Sequence, residues 1–289
     1  MPDRASYVVS ISHKVPHMPD LSALLPMLAA LLVIGAFAGV IGGLLGVGGG
    51  IVLVPAFFYA FTTLGYGGAQ VMQVCVATSL ATIVVTSLRS VAAHHRKGAV
   101  DWQVLKDWGP ALVIAAAVGT FVASRVSSVT LQAVFGLLAG LAGLWMAFGR
   151  DSWRLGAAMP GQPMRSFLAG AVGFFSAMMG IGGGTFGVPL MTLYALPIHR
   201  AVATASGFGV LIAVPAVLGF LLLPVAEAPP YTVGAVNLPA FLVVIGTTLL
   251  TTPLGVRLAH AMNPKPLKRA FAVFLTLVAL NMLRKVLGW

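Results

Sequence analysis

The chain has 289 residues, 59% of them hydrophobic and only 8% charged, against about 25% charged in an average soluble domain. That composition excludes a soluble globular domain, and a single cysteine, Cys75, excludes an intramolecular disulfide framework. The net charge of +11 would suit nucleic acid, but the basic residues lie at the ends of apolar runs and in loops without aromatic interleaving, so no nucleic-acid partner is expected.

In chain order, Met1–Asp20 is charged and lacks a short apolar core with a small-residue cleavage site, so it reads as a polar tail rather than a removed leader. The stretch 21–65 contains "LLVIGAFAGVIGGLLGVGGGIVLVPAFF", in which Gly46 to Gly50 places four glycines in five positions; it is predicted as a helical hairpin with a glycine turn. A span at about 69–92 follows, carrying Gln70, Gln73, Thr78, Ser79 and Thr82, with Cys75 as a small packing residue. The next loop, "HHRKGAVDW", puts His94 and His95 at a basic surface, where no acid or cysteine clusters with them to hold a metal. Spans at about 104–125 and 130–149 close the first half.

The linker 150–165 carries Arg150, Arg154 and Arg165. A second hairpin, 166–196, turns at "GIGGGTFGVP", and its arms of about 14 and 12 residues give about 21 and 18 Å of helix, too short to span comfortably. Spans follow at about 200–223, with Thr204 and Ser206, at about 238–260, with Thr247, Thr248, Thr251 and Thr252, and at about 267–287. Pro55 and Pro189 are read as kinks, and Trp102, Trp108, Trp145, Trp153 and Trp289 fall near span ends, as interfacial aromatics do.

The two halves repeat. Aligning 46–55 with 180–189 gives six identities in ten positions, "VATS" at Val76–Ser79 answers "VATAS" at Val202–Ser206, and Gly119, Leu131 and Phe135 answer Gly255, Leu267 and Phe271. Lys and Arg orient the halves: Arg89, Arg96, Lys97 and Lys106 mark one cytoplasmic loop, the linker is a second, and Arg257, Lys265, Lys268 and Arg269 mark a third. Pro224–Asn237 has one Glu and no Lys or Arg and should face outward, against which Arg125, Arg284 and Lys285 are the exceptions. Parity then makes the second hairpin begin and end inside and the first begin and end outside, although its first arm could span fully. The predicted fold is therefore an all-α polytopic membrane protein of two inverted-topology repeats, 21–149 and 166–289, each a glycine-broken re-entrant hairpin plus three transmembrane helices.

Irregular backbone survives at membrane depth only where protein buries it or a water-filled cavity lines it, so each turn is expected to border a cavity. Glycines at 48–50 and 182–184 can take φ > 0, and each tract begins a helix, at Ile51 and at Thr185, whose unpaired N–H groups and positive dipole end suit an anion. Close helix packing is the alternative use of glycine, though a packing stripe would space the residues about four apart. A nucleotide loop lacks the following Lys-Ser/Thr. All six acids fall in predicted tails or loops, so no buried carboxylate is offered for a cation or proton. The expected substrate-binding set is Gly46, Gly48, Gly49, Gly50, Ile51, Gly180, Gly182, Gly183, Gly184, Thr185, Gln73, Thr78, Ser79, Thr204 and Ser206, with Arg89 and Arg257 as basic residues at the inner mouth; no catalytic residue, metal or cofactor is expected.

The paired "GLLGVGGGIVLVPAFF" and "GIGGGTFGVPLM", the "ATS" helices and "HHRKGAVDW" together resemble the sulfite exporter TauE/SafE family of bacterial membrane permeases, over about 25–283. The resemblance implies an inner-membrane carrier for sulfite, organosulfonates such as sulfoacetate, or related sulfur oxyanions. The family's glycine signature falls on Gly46–Gly50 and Gly180–Gly184, and Ser176 and Ala177 stand where the first copy has Gly42 and Gly43, so unequal contributions from the halves are expected. Export by alternating access is the leading expectation, with a passive anion channel or coupled uptake as alternatives. The expected partners are a small anion and the lipid bilayer, and a homodimer is left open.

Overall fold

The computed structural model describes residues 21–149, 153–261 and 265–287, and nearly all of them are helical. The tail 1–20, Arg150, Asp151 and Trp289 lie outside the described residues. The elements are α1 (Leu21–Leu45), α2 (Gly50–Thr63), α3 (Val71–His95), α4 (Trp102–Arg125), α5 (Ser128–Phe148), α6 (Met164–Met179), α7 (Gly184–Leu193), α8 (Ile198–Leu221), β1 (Thr232–Val233), β2 (Val236–Asn237), α9 (Leu238–Ala261) and α10 (Lys265–Val286). The ribbon β1–β2, in a stretch read from sequence as loop, pairs Thr232 with Asn237 and turns at Gly234, where φ is 58°.

Among the described residues α1, α3, α4, α5, α8 and α9 are long and apolar enough to cross a membrane. By contrast α2, α6 and α7 have 14, 16 and 10 residues, about 21, 24 and 15 Å, well short of a 30 Å hydrocarbon layer. The first arm of the first hairpin, α1, has 25 residues and is of full spanning length. The helix starts are chemically marked. The Asp101 carboxylate accepts the N–H of Gln103 and Val104 at the start of α4, the Ser127 hydroxyl accepts Thr130 N–H at α5, and Asn237 Oδ1 accepts Ala240 N–H at α9.

Helix α1 packs on α9 and α6 on α4, while α3 crosses α8 and α5 crosses α10. Exchanging the first five helices for the last five turns this set of contacts into itself. The correspondence extends to single atoms: a Cβ on Gly39 would strike the backbone of Thr248 as one on Gly173 would strike Leu112, and Gly255 abuts the Val40 carbonyl as Gly119 abuts that of Phe174. Such contacts let helices approach closely where lipid, being as apolar as leucine, gives no reason to associate. The threonine run of α9 serves this seam. Thr247, Thr248, Thr251 and Thr252 each donate to carbonyls of their own helix, and Gly35, Gly39 and Gly43 of α1 lie against them.

Helices α3 and α8 form the centre. Trp108, read from sequence as an interfacial residue, is 1% exposed and stacks on Phe208 of α8 with centroids 5.5 Å apart. The cause of this correction is packing: Gly183 and Gly187 of α7 lie against an edge of Phe208, and the indole of Trp108 stacks on its ring, inside the molecule. Asp107, placed by sequence in a loop, lies on α4 and pairs with Arg165 at 2.9 Å, and Arg200 pairs with Asp101 at 2.7 Å.

Candidate functional site

Both glycine tracts lie against the middle of α3 and α8. Gly48 and Gly50 face Ile83, Gly180 faces Val76, Gly46 faces Val202 and Gly183 faces Phe208. The first turn is left-handed at Gly46, Gly48 and Gly49, with φ of 67°, 71° and 78°; the second is left-handed only at Gly180, with φ of 69°. The expected positive φ is thus met at Gly48 and Gly49 and not at Gly50, Gly182, Gly183 or Gly184. There glycine is required by proximity instead. A Cβ on Gly184 would collide with the Gly46 carbonyl, one on Gly50 with that of Gly180, and one on Gly182 with that of Val47.

The two turns therefore touch, backbone on backbone. Gly182 N–H donates to the Val47 carbonyl at 3.1 Å, so polar groups that need partners at this depth supply them to each other. The cavity expected between the turns is closed in this structure. All of Gly46–Gly50 and Gly180–Gly184 are buried, as are Ile51 and Thr185 at the starts of α2 and α7.

The polar side chains predicted for the site divide into two groups. Ser79 donates to the Gly180 carbonyl at 2.7 Å and belongs to the crossing, together with Thr86, which donates to the Gly48 carbonyl at 3.3 Å. Thr78 and Thr204 are equivalent in a different way: each hydroxyl accepts a helix-start N–H at 3.0 Å, Thr78 from Asn237 and Thr204 from Asp101. They clip α9 to α3 and α4 to α8. Ser206 donates to Ala203 within its own helix. Gln73 joins the α4–α5 corner, donating to the Val126 carbonyl at 2.7 Å and accepting from Ser128 at 3.1 Å. Arg89 and Arg257 are exposed.

Sequence reasoning missed three residues. Ser87, Ser90 and Ser176 are buried with hydroxyls that have no hydrogen-bond partner, and the predicted Thr185 shares that condition. The Ser87 oxygen lies between Gly48 and Gly209, Ser176 is in the last turn of α6 before the second glycine turn, and Thr185 opens α7. A buried unpaired hydroxyl costs about 1–3 kcal/mol, so Ser87, Ser176 and Thr185 beside the two glycine turns, and Ser90 one turn further along α3, call for an explanation. The available signal was helical spacing: Ser79, Ile83, Thr86, Ser87, Ser90 and His94 fall on one face of α3.

His94 ends that face and is a second correction. Read from sequence as a surface residue, it is 0% exposed, with Nε2 3.2 Å from the Gly43 carbonyl and Nδ1 3.1 Å from His260 Nε2. The end of α3 packs against Gly43 of α1 and His260 of α9, while His95 turns outward to accept from Trp102. Among the described residues no group of His, Cys, Asp and Glu is gathered that could hold a metal ion. Hydroxyl donors beside the starts of a 14-residue and a 10-residue helix form a setting for an oxyanion, because the first N–H groups of each helix have no intrahelical acceptor. An open apolar groove of about 320 Å³ beside α5, α6 and α7 has the wrong lining for one.

The family model described as "Sulfite exporter TauE/SafE" matches residues 31–282. A protein of Haemophilus influenzae named "Probable membrane transporter protein" is 30% identical over 240 residues, which cover 81% of this chain and 90% of that protein. One of Methanocaldococcus jannaschii, described in the same words, is 26% identical over 221 residues, 75% of this chain and 82% of its own. No solved structure matches the chain.

Proposed function

Because this chain belongs to the sulfite exporter TauE/SafE family and is thereby a multi-pass membrane transporter, we propose that it is a secondary carrier for small sulfur-containing anions, sulfite or an organosulfonate such as sulfoacetate. Its two halves insert in opposite senses, α2, α6 and α7 stop near the middle of the bilayer, and the glycine turns meet there. The turn bearing Arg96 and Lys97, with Lys106 on the first turns of α4, faces the cytoplasm of a bacterium, on the inner membrane. The anion binds when the halves rock apart at the crossing, where the starts of α2 and α7 and the hydroxyls of Ser79, Ser87, Ser176 and Thr185 become its donors. The contact of the turns then marks an occluded state between inward and outward access.

The observation that carries this reading is that the two glycine turns meet and that unpartnered buried hydroxyls flank both, Ser87 at the first and Ser176 and Thr185 at the second. Charge supports it too, since an inside-negative potential favours exit of net negative charge by about 2.3 kcal/mol per charge per 100 mV. The test is counterflow in proteoliposomes with sulfite, sulfate, sulfoacetate and taurine. Saturable exchange of sulfite or sulfoacetate, lowered about tenfold by Ser87→Ala, is expected. Single-channel currents, or no exchange of any of the four, would overturn the carrier.

A further inference from the structure

Between the crossing and the basic end of the molecule, α3 presents a polar face, and the equivalent face of α8 does not. Taking Thr78 and Thr204 as the matched pair, Thr82, Thr86, Ser87, Ser90 and His94 correspond to Phe208, Ile212, Ala213, Ala216 and Phe220. All five of the α8 residues are 0% exposed and apolar. The buried α3 face leading away from the crossing thus carries hydroxyls and ends in an imidazole, while the matching α8 face is hydrocarbon. The halves match in backbone contacts and differ here in chemistry, which a purely structural duplication does not require.

The polar face ends in three histidines. His94 and His260 approach nitrogen to nitrogen at 3.1 Å, and exposed His199 stacks on His260 with centroids 6.0 Å apart and planes 18° from parallel. The stacking directs the His199 ring face, not a nitrogen lone pair, at its neighbour, which disfavours chelation. The hydrogens follow from the acceptors. The Gly43 carbonyl can only accept, so His94 Nε2 carries a hydrogen. In a neutral His94 the Nδ1 is then bare and takes the N–H of His260 Nε2.

We propose that the His94–His260 pair is a proton-binding site that fills together with the transported anion on the cytoplasmic route, an inference resting on the carrier reading above. A proton binds at His260 Nδ1, and the hydrogen on His260 Nε2 crosses to His94 Nδ1. His260 is left neutral in its other tautomer, and His94 becomes an imidazolium with hydrogen on both nitrogens. Only N–H bonds form and break. The charge then stands seven to eight residues below Thr86 and Ser87, about 11 Å along the helix, at the foot of the hydroxyl face. A buried positive charge is unfavourable unless a negative one accompanies it, so proton and anion are taken up as a pair.

The surroundings fit that coupling. Lys97, on the loop after α3, repels a positive charge on the pair, and His199, at the start of α8, lies beside His260, so nothing from these neighbours holds a proton there in the absence of an anion. Arg200 is tied to Asp101, Arg257 of α9 is exposed, His95 is turned to Trp102, and α1 contributes the Gly43 carbonyl. Among the described residues no carboxylate is paired with either imidazole. The missing negative charge is therefore one that arrives with the cargo.

The test uses the purified full chain in weakly buffered detergent, with sulfoacetate as probe because both of its acid groups stay ionised across the imidazole range. Calorimetry measures binding and a pH electrode measures proton uptake. About one proton taken up per anion bound near pH 7 is expected, with affinity rising about tenfold per pH unit lowered, and so up to about a hundredfold between about pH 8 and about pH 6. His94→Gln keeps an N–H donor for Gly43 but cannot take the proton, so it should bind with neither uptake nor pH dependence. His260→Gln removes the entry point and should behave alike, which keeps the test decisive if one variant fails to fold. Binding by the wild type without proton uptake, or unchanged uptake in both variants, overturns the proton site alone. Absence of binding by sulfoacetate and by sulfite overturns the carrier reading and the proposal with it.

Discussion

Replacing Gly184 by Ala places one methyl group in the contact between the two glycine turns. The new Cβ would meet the Gly46 carbonyl, with the Val47 Cα behind it, so no side chain can rotate aside and backbone must move. Overpacking of a tight core costs about 1–3 kcal/mol, and rigid backbone on both sides puts this site at the upper end. About 3 kcal/mol is a factor of about a hundred against the touching arrangement. Gly50→Ala, against the Gly180 carbonyl, is the matching perturbation from the other half, and Gly246→Ala in α9, where the added atom meets nothing within 4 Å, is the control. Thermal unfolding in detergent and sulfite counterflow are measured on all three and on the Gly50/Gly184 double variant. Each crossing variant should unfold earlier and exchange more slowly, and the double variant should lose less than the sum, because the second methyl enters a contact the first has opened. The control should match the wild type or gain up to about 1 kcal/mol in helix propensity. Unchanged unfolding and flux in either single crossing variant would refute the contact as the centre of the mechanism.

Thr78→Val and Thr204→Val should each lower stability by about 1–3 kcal/mol, and by similar amounts, since each strands a buried helix-start N–H of its partner; unequal losses in denaturant melts would argue against the equivalence of the halves. Asp101→Ala should cost about 1–2 kcal/mol through the lost cap on α4, and Asp101→Asn much less, because asparagine caps nearly as well and the ion pair to half-exposed Arg200 adds little. Ser87→Ala should leave the melting temperature unchanged or raised while flux falls, as removal of an unpaired buried hydroxyl relieves a cost; a fall in both would mark Ser87 as structural. Cys75 should resist maleimide in the folded protein and react once denatured.

Long apolar runs and the duplicated glycine tracts were readable because membrane spans need many consecutive apolar residues and because glycine clusters are rare within them. Which face of each span points inward was not readable. In α1 the exposed Leu25, Leu28, Leu32 and Phe37 are as apolar as the buried Leu31, Ala38 and Ile41, so hydropathy carries no contrast between lipid and core. The same blindness hid His94 and Trp108. A histidine at a helix end beside Arg96 and Lys97 looks solvated, and only the packing of the end of α3 against Gly43 of α1 and His260 of α9 buries it. The glycines announced a turn, but not that each turn would be the other's partner, because that depends on two segments far apart in sequence meeting at one depth.

Trp108 turns the crossing into an optical gauge. Its indole rests on Phe208, whose edge packs against Gly183 and Gly187, so any parting of the second turn disturbs the ring that the indole lies on. Trp102 and Trp153 are about half-exposed and Trp145 part-buried, so their emission answers to solvent or lipid rather than to the core. With those three and Trp289 exchanged for phenylalanine, the colour of a single lamp, read in a cuvette without any attached dye, would follow the opening of the molecule turnover by turnover.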